Sequence, residues 1–341
     1  RSHMSGLVRD IMICVTALLI FLPSVSAGVT GDADNWEEDG WLKTRIATDR
    51  LEAGDEFGCY GFPGLSWQAN AGDVATACRD YLVQRIDASR WAENPVSIFT
   101  PSGLNYAEHE AISNIGFAIH GDNTGLPNTA WHSSNDSPNH AEDWYNLGRR
   151  GGSIESVIAN LEEVQNQAEG GGILNFYWVG RVNDATVRHD SELMDWLEDS
   201  DGWSTTWGEA WSYWASKRCY ELDYNNSIDS SEHGFYFEYM RPEGCVSQDN
   251  RVWDVPLTWV IDLNGSQVQK VVSESGNLTP FVGNEKILNE GWWQDGDLIY
   301  LTVAPNSPVD LQTSTSVEDY DVIEISQNFN NNSFAIPLAG H

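Results

Sequence analysis

The residues best suited to chemistry are His120 and Asp122, two positions apart in the stretch IHGD at 119–122. A carboxylate beside an imidazole can orient it, raise its pKa or share a cation with it. Arg181, Asn183 and Asp184 follow the apolar run ILNFYWV at 173–179, and Thr100, Ser102 and Asn105 follow VSIF at 96–99. His120, Asp122 and Arg181 are therefore the candidate catalytic set, with water activated by imidazole or by a cation. A histidine at a strand end also has an ordinary reading as a satisfied structural group. His109, His132, His140, His189 and His233 fall in expected loops or on polar helix faces, where exposure is the simpler expectation. No serine nucleophile elbow, P-loop, dinucleotide fingerprint or H-E-x-x-H helix occurs.

Aromatic residues form the second chemical signal, with 16 tryptophans in 341 residues. Several of them, including Trp67, Trp131, Trp144 and Trp178, lie near the expected sheet ends. Indole faces stack on the apolar faces of sugar rings, so carbohydrate binding is a reasonable use for them. Trp207, Trp211 and Trp214 instead show i, i+4, i+7 spacing, which suits packing of one helix against a sheet.

The elements that would position these groups alternate between strand and helix from about 54 to 222. Val74, Ala77, Cys78, Tyr81, Leu82, Arg85 and Ile86 share a helix face, predicting an amphipathic helix over 73–90. A strand at 96–99, a short helix near 107–115 and a strand at 116–120 follow. A capped helix at 153–168 leads into ILNFYWV, which reads as a central strand buried on both faces of a parallel sheet. Helices at 190–198 and 207–219 complete an α/β pattern, with the active surface at the carboxyl ends of the strands. After about 223 the pattern changes to the strand-like segments FYFEYM, VWDVPLTWVIDL, QVQKVVSE and DLIYLTVA, which predict a β-sandwich.

Residues 11–22, IMICVTALLIFL, preceded by Arg9 and followed by Pro23 and the small residues SVSA, read as a secretory signal cleaved after Ala27. Expected units are thus a signal at 1–27, an α/β domain at 28–222 and a β-sandwich at 223–341, in a secreted or cell-surface protein without a membrane span after cleavage. Charge agrees with an exterior location. The chain carries 51 acidic and 18 basic side chains, a formal net charge of −33, which repels nucleic acid and anionic membranes. The carboxylates are spread along the chain, as in a solvated coat suited to salty surroundings. Outside the signal the cysteines are Cys59, Cys78, Cys219 and Cys245, an even number consistent with two disulfides in any of three connectivities. Cys59–Cys78 with Cys219–Cys245 is the most local of these.

The order of segments resembles a known family. GDEFGCYGFPGLSW (54–67) precedes a long helix; then come SIFTPSGLNYAEHEAISNIGFAIHGD (97–122), GGILNFYWV (171–179), DGWSTTWGEAWSYWASKR (201–218) and a β-region beginning VWDVPLTWVI (252–261). This succession is similar to the polysaccharide deacetylase (NodB-homology) family over roughly 54–263. The resemblance implies a distorted or incomplete (β/α) barrel, followed here by the sandwich, and it implies a divalent-metal site. The metal motifs, however, are degenerate. Aligned on Gly54 to Gly58, the two histidines of the family's H-[ST]-x-x-H spacing fall on Tyr60 and Gly64, and the histidine of its L-x-x-H strand falls on Tyr177. Its R-x-P-x-G loop matches at 99–103 without the arginine, and its T-F-D-D motif has no counterpart.

The resemblance therefore implies a glycan-binding groove in which Tyr60, Trp67, Asn105, Tyr177 and Trp178 contact substrate and no metal is held. A hydrolase of acetylated sugars with a relocated site, using a divalent metal held elsewhere, and a structural cell-surface protein are the alternatives. The cysteine count carries its own prediction. Intact mass measured with and without reduction should differ by four protons, and four alkylated thiols under non-reducing conditions would overturn the two-disulfide expectation.

Overall fold

A computed structural model describes residues 51–52, 54–59, 61–101, 103–122, 131–132, 145–146, 161–162, 166, 173–174, 195, 205–217, 220–225, 234–244, 251–281, 288–315 and 321–324. Tyr60, Tyr177, Trp178, Arg181, Cys219, Cys245, the signal segment and most of the expected helices at 153–168 and 190–198 lie outside the described residues.

The first ordered unit is built on a parallel sheet. Strands β1 (Ser97–Thr100) and β2 (Ile119–Asp122) pair in register from Ser97 with Ile119 to Thr100 with Asp122, and β4 (Tyr145–Asn146) adds to the far side of β2. A fourth segment runs parallel beside β1: Cys59 N–H donates to Ser97 O (3.1 Å), and Phe99 N–H donates to Cys59 O (2.6 Å). Helices α1 (Ala71–Val83) and α2 (Tyr106–Ile115) cover one face. Their apolar stripes meet Cys59, Ile98 and Phe117 in a buried cluster with Ala71, Ala75, Cys78, Leu82 and Ile112. A disulfide joins Cys59 to Cys78, linking the outer strand segment to α1.

Helix α1 is shorter than the expected 73–90 because the chain must reverse into β1. After Val83 a turn closes with Ser89 N–H on Ala92 O (3.0 Å) and Ala88 N–H on Glu93 O (3.1 Å). Helix α2 starts where its cap dictates: Asn105 Oδ1 accepts from Glu108 N–H (3.1 Å) while Glu108 accepts from Asn105 N–H (2.6 Å), a reciprocal capping box. ILNFYWV was expected in the parallel sheet. Its two described residues, β5 (Ile173–Leu174), pair antiparallel with β3 (Trp131–His132) instead.

Among the described residues the second unit consists of two antiparallel sheets. One has five strands, β6 (Glu221–Asn225), β7 (Gly234–Met240), β9 (Val268–Ser273), β10 (Gly276–Asn277) and β13 (Val309–Thr313), in the order β10-β9-β13-β7-β6. The other orders β8 (Leu257–Asp262), β11 (Gly291–Asp295), β12 (Leu298–Val303) and β14 (Asp321–Glu324) as β11-β12-β8-β14. Alternation decides which residues face inward: Phe235, Phe237 and Tyr239 from β7 meet Trp259 and Ile261 from β8. Fully buried Trp259 has the rings of Tyr220, Phe237 and Tyr239 around it at 4.8, 5.6 and 5.1 Å.

Helix α3 (Trp207–Lys217) joins the units, since it touches both β2 and β8. One buried cluster runs from Val96, Ala118 and Ile119, through Ala210, Trp211, Tyr213 and Ala215, into both antiparallel sheets. The approach to the parallel sheet is tight at Gly121, where a Cβ would lie 2.8 Å from the Trp207 ring and 3.3 Å from Phe99. Gly121→Ala should overpack this seam and lower stability by about 1–3 kcal/mol. Urea unfolding should show the loss, and an unchanged midpoint would mean that Trp207 does not rest there.

Candidate functional site

Strand polarity identifies the site. Because the 57–59 segment and β1 are parallel, the loops that follow them, 61–69 and 101–105, leave the same carboxyl edge of the sheet. In the first loop, Pro63 and Gly64 occupy the centre of a turn closed by Leu65 N–H on Phe62 O (3.2 Å). Gly64 has φ 77°, the left-handed value required at the third position of a type II turn. That turn presents Phe62 half-buried, Leu65 43% exposed and Trp67 half-buried. Just beyond the second loop, Tyr106 is 64% exposed. Trp67 packs against the α1–α2 cluster, as do Tyr81 and Leu104, so the loops rest on the core that the disulfide closes. On the other face of the same edge Phe99 lies beside Trp207, with ring centroids at 4.7 Å.

Toward the amino-terminal end of the same strands is a buried polar network that sequence reading did not find. Glu56 is half-buried as a residue, but its carboxylate is enclosed: Ser97 Oγ donates to it (2.6 Å), as does the Gly208 N–H in the first turn of α3 (2.6 Å). Burial raises its pKa, against the lowering effect of Ser97, Gly208 and Thr206 and with a further upward push from the charge of Glu209. Buried Glu209 accepts from Trp91 Nε1 (2.7 Å) and Thr205 Oγ1 (3.0 Å) and faces Arg90 at 3.5 Å. Thr206 Oγ1 accepts from Glu209 N–H (3.3 Å), as an N-cap does. The sequence signal was T-W-G-E at 206–209, the capping-box spacing at a helix start.

His120 sits on the opposite face of the sheet, without exposed surface. Its Nε2 lies 3.1 Å from Phe117 O, and its Nδ1 lies 2.9 Å from His109 Nδ1. A carbonyl can only accept, so Nε2 carries the proton of the neutral ring, and His109 Nδ1–H donates to the lone pair on His120 Nδ1. Burial pushes the His120 pKa down to about 3, with His109 and Arg251 adding to the effect and Phe117 O opposing it. His109, expected to be exposed, is buried because it shares the inner face of α2 with Ile112 and Ser113. Its i, i+3, i+4 spacing to those residues was the available clue. Asp122 Cα pairs with Thr100 at the carboxyl end of the sheet. Asn105 uses its side-chain oxygen in the cap of α2.

The structure thus brings together the two loops of the carboxyl edge and, toward the amino-terminal end of the same strands, the Glu56 and Glu209 network. His120 and His109 meet on the helical face. The metal implied by the family resemblance does not fit what is described. Gly64, at one expected ligand position, has no donor, and a histidine there would carry a strained φ of 77° in a turn. Among the described residues no group of three His, Cys, Asp or Glu side chains is placed to hold a metal ion, and no helix is long and apolar enough to cross a membrane.

His120 makes stability depend on pH in a definite direction. The folded protein refuses a proton that the unfolded chain accepts near pH 6.5, so the stability His120 contributes is complete above that pH and is lost as pH falls toward about 3. The loss approaches about 1.4 kcal/mol for each pH unit within this window. Urea midpoints at pH 4.5 and 7 should differ less for His120→Gln than for the parent; equal differences would refute the neutral buried imidazole. No protein-family model, curated protein or solved structure matches the chain.

Proposed function

We propose that the chain is a secreted or cell-surface carbohydrate-binding protein on an incomplete (β/α) barrel of deacetylase type, which holds polysaccharide at the carboxyl edge of its parallel sheet without the family's metal centre. The observation that supports this reading is the set of aromatic side chains Phe62 and Trp67 on the first loop and Tyr106 at the start of α2, with Phe99 and Trp207 at the same edge. Flat apolar rings that keep part of their surface in water suit the apolar faces of sugar rings, and polar sugar edges remain hydrated. The disulfide and the Pro63–Gly64 turn stiffen the first loop before any ligand arrives, which lowers the ordering cost of binding. The acidic coat favours an uncharged polymer over an anionic one. The hydrolytic alternative gains nothing from His120, whose nitrogens both face buried partners.

Tyr106→Ala removes the most exposed ring and should leave the fold intact, whereas Trp67→Ala also removes a packing contact. Both should lower retention on insoluble neutral polysaccharides by about tenfold, the effect of one stacked ring worth roughly 1.4 kcal/mol. Met240→Ala, at the end of β7, should bind as the parent does. If the parent binds a glycan and Tyr106→Ala binds it equally well with an unchanged melting temperature, the aromatic edge is not the binding surface.

A further inference from the structure

The arginines suggest how the acidic coat can be tolerated. With 51 carboxylate and 18 cationic side chains, 33 carboxylates remain without a cationic partner even if every Lys and Arg pairs once. Several arginines are moreover engaged within the fold. Arg90 donates to Leu288 O and to Asn289 Oδ1 (2.9 Å), and Arg241 donates to Val252 O and Trp253 O (both 3.3 Å) as well as to Asp254 (2.8 Å). Arg251 holds Ser113 Oγ (2.8 Å), and Arg85 lies over the Tyr81 ring (3.8 Å) while donating to Tyr81 O (3.0 Å). These cations tie segments together and leave the acidic faces to the solvent.

On the outward face of the five-stranded sheet the consequence is local. Asp223 of β6 stands directly opposite Glu238 of β7, and Asp310 of β13 stands opposite Tyr236, two residues from Glu238. Lys270 of β9, paired with Gln312, is the cation of this face among the described residues. The Tyr236 hydroxyl donates to Glu238; that bond, with burial and the charges of Glu238, Asp223 and Asp310, pushes its pKa up to about 12. On the other sheet Asp262 of β8 and Asp321 of β14 are also Cα partners. Directly opposed like charges destabilise a strand pair. Among the described residues β6 is also an edge strand, held by one ladder only.

We propose that the protein holds its working fold only against a high concentration of screening cations, and that edge strand β6 is the first element to separate when salt is withdrawn. At 1 M salt the screening length is about 3 Å, shorter than the spacing of opposed side chains across a ladder, whereas at 0.01 M it is about 30 Å and the whole coat repels itself. Screening acts through ionic strength, so the effect needs no binding site and no particular ion.

Thermal melting of the full chain in 0.05 and 2 M NaCl, with hydrogen exchange read on β6 and on the inner strand β12, tests this. The melting temperature should rise by more than about 10 °C over that range, and KCl should match NaCl at equal ionic strength. At 0.05 M, amides of 221–225 should exchange at least about tenfold faster than at 2 M, with a smaller change in 298–303. Asp223→Asn should raise the low-salt melting temperature by about 1–3 °C and lose that advantage at 2 M. A flat or falling melting curve overturns the proposal, as does equal salt response in β6 and β12. Full stabilisation by 10 mM MgCl2 or CaCl2 at low ionic strength would also overturn it, in favour of a specific divalent site, and an equal gain from uncharged sucrose would assign the effect to burial.

Discussion

The fold depends on how the first turn of α3 is held. Glu56 brings a carboxylate from the outer strand segment to the Gly208 amide, and Glu209 turns its own carboxylate back to Trp91, Arg90 and Thr205. Burying two acids side by side is costly, and each is tolerable only because donors surround it and the partial positive charge of a helix N-terminus lies beneath. Trp207 then seats against Gly121, while Gly208 lies against the Trp253 ring with no room for a side chain. Loss of any of these contacts would leave a buried charge or an open seam, so the helix, the parallel sheet and the antiparallel sheets are fixed together.

The two faces of the parallel sheet answer different physical demands. The α1–α2 face is sealed by apolar stripes, a disulfide and the buried, hydrogen-bonded His109–His120 pair. The α3 face carries the acidic network and opens at its carboxyl edge onto aromatic rings. Rigid support under short loops is what a surface for flat ligands needs, because ordering costs are then met in folding rather than in binding. The surface carboxylates are kept apart from the interior, where arginine donors bind backbone carbonyls.

Much of the secondary structure was legible because period and capping are local. Asn105 with Glu108 and Asn70 with Asp73 mark helix starts within four residues, and the alternation of FYFEYM matches the inward Phe235, Phe237 and Tyr239 of β7. Strands β6, β11, β13 and β14 were not anticipated. Their sequences, such as ELDYN and VDLQT, mix charge with few apolar residues, and only pairing with neighbours makes them strands. Glu56 was not legible as a buried anchor, since its partners Ser97 and Gly208 are 41 and 152 residues away.

By itself the sequence determined the charge, the cysteine count and the amphipathic helices, because each of these is a matter of composition or of neighbours along the chain. Tertiary structure decided what those residues do. It closed Cys59 on Cys78, turned His109 inward onto His120, and put Phe62 and Trp67 on a loop, and Tyr106 at a helix start, at one edge of the sheet. It also set Asp223 against Glu238. Such pairings join positions brought close only by strand register and helix packing, and register is a property of the assembled sheet that no local pattern contains.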